Sequence, residues 1–298
     1  MLGELAALGT AIAWTVSAAL YKGALSKTTP LQANTLRLGC SGSVLVIFVM
    51  ATGRFHVFLS LPANAVVLSA LSGLIGLGLG DTLYMMSLKE IGVSIAVPLT
   101  CTYPLFSLVL ALIMQPRTVA LEVGVAATMI VFGIWLITKR RAADEAERKK
   151  FRVRGAIYAL GAAVLWAVSI GMMNAAVTIP ETSTLDSALV LNTLRVLLIA
   201  ISLVAIRPLM RKRSGFAEVD RRILARLALA GVIALGFGWF LLTYSFLLIP
   251  QARAVPISST TPLFAVFSGA IFLRERISIS NIIGASIIVI GIFILFLL

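Results

Sequence analysis

Apolar positions gather into ten runs, at 2–21, 32–51, 65–88, 93–114 and 119–138, then at 154–177, 187–206, 225–248, 253–273 and 279–298. Roughly 20 apolar residues in a helix cover the hydrocarbon core of a bilayer. Each run is therefore predicted to span a membrane as a helix. Between the two sets of five lies Lys139–Lys150, the longest charged stretch. We read 1–138 and 154–298 as two halves joined by a basic, solvated linker at 139–153.

The halves are copies. Asn34-Thr35-Leu36-Arg37 recurs 158 positions later as Asn192-Thr193-Leu194-Arg195. At the same offset Gly73, Gly78 and Gly80 return as Gly231, Gly236 and Gly238, and Ala96-Val97-Pro98 returns as Ala254-Val255-Pro256. Pro104-Leu105-Phe106 returns as Pro262-Leu263-Phe264, Thr102 matches Thr260, and Gly133 matches Gly291. The first runs align at an offset of 152, which pairs Leu8, Gly9, Trp14 and Ser17 with Leu160, Gly161, Trp166 and Ser169. An odd number of spans per copy makes the second copy enter the bilayer from the opposite side. The expected fold class is an all-α integral membrane protein of ten helices in two inverted five-helix repeats. Alternating-access transporters have that arrangement, with substrate bound near mid-membrane between the copies.

Composition agrees, with 60% hydrophobic and 12% charged residues, against about a quarter charged in soluble domains. The formal net charge of +13 does not indicate nucleic acid, because Lys and Arg sit in loops between apolar runs rather than on one solvated face. Three of them, Arg54, Arg117 and Arg253, fall on one predicted side and twenty on the other. Positively charged loops stay in the cytoplasm, so both termini are expected outside a cell membrane and the linker inside. The first run lacks a basic leader and is expected to remain as a span. Cys40 and Cys101 lie inside apolar runs and read as small core residues.

No Gly-Lys-Ser/Thr phosphate cradle occurs, so a gradient is the expected driving force. His56 is the one histidine and has no cluster of metal-ligating neighbours in sequence. No metal, cofactor or enzymatic pair is expected. Asp81 is the carboxylate well inside a span, which makes it a functional candidate by default. It either binds substrate or protons, or neutralises Arg37 at nearly the same depth. In the second copy Trp239 stands at the matching position and offers Arg195 a cation–π partner. Arg37 and Arg195 read as structural charges or as clamps on an anionic substrate.

Pro98, Pro104, Pro256 and Pro262 predict kinks that serve as gates or as packing bends, with nearby Ser and Thr hydroxyls meeting the freed carbonyls. Trp14, Tyr84, Tyr103, Trp166, Trp239 and Tyr244 are able to line a cavity or simply to pack. The glycines Gly73, Gly76, Gly80, Gly231, Gly236 and Gly238 are expected to let helices approach closely. Gly284, Ala285 and Gly291 form a small-residue face suited to internal packing or to dimerisation.

The whole chain resembles the drug/metabolite transporter superfamily, specifically tandem EamA-domain permeases. The resemblance rests on the duplicated five-span plan, on Trp14 followed by Lys22, and on the run Ala96–Phe106. Phe272-Leu273-Arg274-Glu275-Arg276 resembles the family's Leu-Gly-Glu ending with Arg274 in place of glycine, and Gln115-Pro116-Arg117 in the first copy lacks the Glu. The resemblance implies a helical basket around a central cavity, with spans 5 and 10 outside it. It implies export or exchange of small metabolites, amino acids among them. Its implied substrate-binding candidates are Trp14, Lys22, Asp81, Tyr84, Thr102, Tyr103, Trp166, Asn174, Trp239, Ser258 and Thr260. Partners are then a small metabolite, the lipid bilayer and protons. Rival readings are a sugar-phosphate or nucleotide-sugar exchanger, using Arg37, Arg195 and Lys22 as anion clamps, and a non-transporting membrane scaffold.

Overall fold

The computed structural model describes residues 1–114, 121–138, 146–206, 219–265, 268 and 278–297, and these form helices and short connections with no strand. In chain order the helices of eight or more residues are α1 Leu2–Leu25, α2 Pro30–Ala51, α3 Ala63–Ile91, α4 Val93–Thr100, α5 Tyr103–Met114 and α6 Leu121–Thr138. They continue with α7 Ala146–Val177, α8 Leu185–Ile206, α9 Arg221–Leu248, α10 Gln251–Ser258 and α11 Ile279–Leu297. Among the described residues six of these, α1, α2, α3, α7, α8 and α9, are long and apolar enough to cross a membrane. The linker portion 139–145, Gln115-Pro116-Arg117 and Phe272–Arg276 lie outside the described residues.

Over much of α1 small or polar side chains face inward and large ones outward, although Tyr21 and Leu25 are buried near its end. On α1, Ala7, Ala11, Thr10 and Ser17 are buried, while Leu5, Ile12 and Val16 are exposed. That inversion suits a helix whose outer face meets lipid tails. Lipid supplies the apolar surroundings, and small residues let the backbones approach. Where α2 begins, Pro30 follows a capping box in which Thr29 and Gln32 bond each other's backbone. This satisfies donors that would otherwise be orphaned at the helix start.

The expected single span at 93–114 is interrupted. Helix α4 ends at Thr100, residues Cys101 and Thr102 turn, and α5 restarts at Tyr103. Pro104 has no N–H, and its ring would clash with the Thr100 carbonyl in a continuous helix. The second copy repeats the feature: α10 ends at Ser258, Ser259 and Thr260 turn, and a helical stretch begins at 261 ahead of Pro262. The four prolines thus divide their roles. Pro98 and Pro256 stay inside α4 and α10, whereas Pro104 and Pro262 each follow a break, not the kink expected. Hydroxyls serve the carbonyls at each break: Thr102 donates to Leu99 O at 2.7 Å and Thr260 to Ile257 O at 2.8 Å.

Two π-helical stretches, Gly73–Gly80 in α3 and Val232–Gly238 in α9, form where the repeated glycines lie. The wider turn displaces carbonyls from their normal partners. Asn34 Nδ2 donates to Leu77 O at 2.9 Å, and Asn192 Nδ2 donates to Leu235 O at 2.8 Å. The two most conspicuous repeated motifs therefore meet, with the asparagine of one satisfying the irregular helix of the other.

The halves contact each other reciprocally. A Cβ on Gly73 would lie 3.0 Å from Arg195 O, and one on Gly231 would lie 2.8 Å from Arg37 O. Gly80 faces Trp166 and Gly238 faces Trp14, where an added Cβ would in each case lie 2.9 Å from the pyrrole edge of the indole. The exchange joins the halves through matching positions of the two copies. It also places α1 against α9 and α10, and α7 against α3, α4 and α5, so each half's first helix packs into the other half. Helices α6 and α11 pair with each other. Gly133 meets Gly284 and Ile288, and Gly291 meets Ala126 and Ile130. These two helices form a small core of their own, with Ile95 and Leu105 packed against it. The small-residue face of Gly284, Ala285 and Gly291 is thereby used in internal packing.

Candidate functional site

Asp81 is the first residue after the π-helical stretch of α3 and is 3% exposed. Its Oδ2 accepts a charge-assisted bond from Arg37 Nη2, and its Oδ1 accepts from Trp166 Nε1 at 2.8 Å. Arg37, on α2 and 2% exposed, spends its other donors on Tyr21 Oη at 2.9 Å and Asn34 Oδ1 at 2.9 Å. Tyr21 Oη in turn donates to Ala230 O at 2.9 Å on α9. The ion pair suggested by depth is present, and the second half supplies both an indole and a carbonyl to it. A buried carboxylate and guanidinium are tolerable in an apolar interior only with such complete partnering.

In the second half the guanidinium of Arg195 lies 4.0 Å from the Trp239 ring centroid, the cation–π contact anticipated from the Asp81-to-Trp239 exchange. Four aromatic rings run in a chain. Tyr84 and Trp166 have centroids 5.0 Å apart, Trp166 and Trp14 6.5 Å, and Trp14 and Trp239 5.5 Å. Trp14 and Trp239 meet edge to face, a favoured geometry for aromatic quadrupoles.

These groups surround a small cavity of about 40 Å³. Of the candidates named from the sequence, Trp14, Asp81, Tyr84, Trp166 and Trp239 line it, together with Arg37. Ser17, Tyr21, Thr100, Cys101 and Thr261 also line it. Tyr21 escaped the sequence reading because its counterpart at the 152 offset is Met173, so the repeat does not mark it.

Other candidates lie off the cavity. Lys22 Nζ donates to the carbonyls of Leu88 at 2.6 Å and Lys89 at 3.1 Å, where a cation complements the C-terminal end of α3. Thr102 is buried at the α4–α5 break and Thr260 is half-buried at the matching one. Asn174 is half-buried on α7 and outside the lining, and Tyr244 stacks on Phe240. Tyr103 and Ser258 are buried and bonded to each other at 2.9 Å, joining one break to the other. Ser258 Oγ also bonds Val255 O at 3.0 Å, so Tyr103→Phe leaves no orphaned donor. The expected cost is about 1 kcal/mol, read as a small fall in melting temperature in detergent.

The sequence profile of the EamA-like transporter family matches residues 1–139 and 153–297. An uncharacterized transporter of Archaeoglobus fulgidus is 25% identical over 297 residues, which cover 100% of this chain and 99% of that protein. The fold also occurs in a solved crystal structure, aligned with a TM-score of 0.68 at 18% identity over 99% of this chain and 96% of the other. With both halves matched, the chain belongs to the EamA-like transporter family of the drug/metabolite transporter superfamily and is a multi-pass membrane transporter.

Proposed function

We propose that the protein is an alternating-access secondary transporter that exports or exchanges small metabolites, amino acids among them, driven by a proton gradient. The observation that carries this reading is the aromatic cavity with its buried Arg37–Asp81 pair, midway along the long helices and built from both halves. A site assembled between two related halves changes its access when the halves rock against each other. The ten-span, inverted-repeat arrangement supplies that motion, and reciprocal contacts between the copies support it. The breaks at 101–102 and 259–260 act as the two gates, since discontinuous helices give local freedom at depth. In this mechanism protonation of Asp81 removes the charge that holds Arg37 and Trp166, loosening one joint between the halves. Both termini lie outside the cell membrane and the basic linker lies in the cytoplasm, in keeping with the charge bias of the loops.

The test is counterflow in liposomes with an amino-acid-rich metabolite panel, with and without an imposed pH gradient. Saturable flux that rises at least severalfold with the gradient is expected. Asp81→Asn is expected to remove the response to the gradient. Saturable exchange indifferent to pH in the unaltered protein would remove the proton from the mechanism, and no flux of any solute would overturn the transport reading. Tags at either end should be reached by an impermeant reagent from outside intact cells.

A further inference from the structure

The two copies treat their matching arginines unequally. Every guanidinium nitrogen of Arg37 has a partner within the site: Asn34 for Nε, Tyr21 for Nη1 and Asp81 for Nη2. Arg195 is 0% exposed, yet its Nε and Nη1 have no acceptor, and its Nη2 has only a 3.4 Å bond to Ser169 Oγ. Asn192 Oδ1 beside it is also without a donor. A bond from Nε to Asn192 Oδ1, the counterpart of the Arg37–Asn34 bond in the first copy, would satisfy one donor. It would not satisfy Nη1 or the charge, because Met173 and Trp239 stand where the first copy has Tyr21 and Asp81. Asp81, whose charge reaches Arg195 through space, is already paired with Arg37. Counting these three groups, the surroundings of the cavity carry one uncompensated positive charge.

Burying an unpaired cation is costly, and an anion with hydrogen-bond acceptors is what relieves it. The ring that covers Arg195 is Trp239, which also forms part of the cavity wall. Resting on the proposed transport role, we infer that the transported solute bears a carboxylate on an apolar or aromatic body. Trp239 swings aside to admit the carboxylate to Arg195, while Trp14 and Trp166 receive the body. The limited room in the cavity requires such an opening.

Three ring compounds of similar size separate charge from shape: phenylacetate, phenylacetamide and phenethylamine, titrated into detergent-solubilised full-length protein while tryptophan emission is followed. Phenylacetate is expected to give a saturable change, and the neutral amide and the amine are expected to give none. Arg195→Met should weaken phenylacetate binding more than tenfold, and Arg195→Lys should bind between the two. Removing an unpaired buried charge should leave the ligand-free melting temperature of Arg195→Met unchanged or higher. An equal response to all three compounds, unweakened binding by Arg195→Met, or a lower ligand-free melting temperature in that variant would each overturn the inference. Counterflow in liposomes keeps the two readings apart. Phenylacetate binding without flux of any solute supports the site and overturns transport. Saturable flux of other solutes with no phenylacetate binding overturns the site alone.

Discussion

Asp81→Ala is expected to cost about 3–5 kcal/mol, because it leaves Arg37 charged and unpaired in the apolar interior. Trp166 would lose its acceptor as well, and Tyr21 would keep a guanidinium no longer held by a carboxylate. The measurement is the temperature at which detergent-solubilised protein loses its tertiary signal, compared with the double variant Arg37→Met/Asp81→Leu. The double variant should recover part of the loss, since apolar side chains replace a buried ion pair at little net cost, while Trp166 Nε1 and Asn34 Oδ1 still lack these partners. Transport then separates the two roles of the pair. Recovered stability with flux still absent assigns Asp81 to the transport cycle. Recovered stability together with normal flux assigns it to packing alone.

Gly231→Ala is the second substitution with a large expected effect. The added Cβ would sit 2.8 Å from Arg37 O and 3.1 Å from Arg37 Cβ. The closest atom of all is the Ser41 side-chain hydroxyl oxygen, but Arg37 O is backbone and cannot rotate away, so relief requires α2 and α9 to separate, and overpacking of this kind costs about 1–3 kcal/mol. The displacement bears directly on the ion pair, so flux should fall with stability. Gly236→Ala is the control on the same helix. Its Cβ would meet Leu45 at 3.7 Å and Val232 at 3.8 Å, ordinary contact distances. Its melting temperature should stay close to that of the unaltered protein. Equal losses from the two substitutions would show that glycine is needed for the π-helical backbone itself rather than for the approach of α2.

Much of the architecture was legible because both of its signals are local. Length and apolarity mark a helix in lipid without reference to its neighbours, and a duplication is visible by comparing the chain with itself. The pairing of Arg37 with Asp81 followed from their similar depth, and the Arg195–Trp239 contact followed from the position where the copies differ. Tyr21 had neither signal. Its role depends on Ala230 O and Arg37 Nη1 arriving from two other helices. Lys22, adjacent in sequence, was drawn instead to the end of α3.

The sequence by itself determined the membrane class, the repeat, the family and most of the cavity's aromatic wall, since helix formation in lipid and internal duplication are properties of consecutive residues. Only the tertiary structure decided that Pro104 and Pro262 follow breaks, that the glycine runs take a π-helical turn, and that each half's first helix packs into the other half. It also decided which arginine is fully partnered. Those outcomes depend on which carbonyls, hydroxyls and rings from distant segments meet a given backbone, and one residue at a time the chain does not specify such meetings.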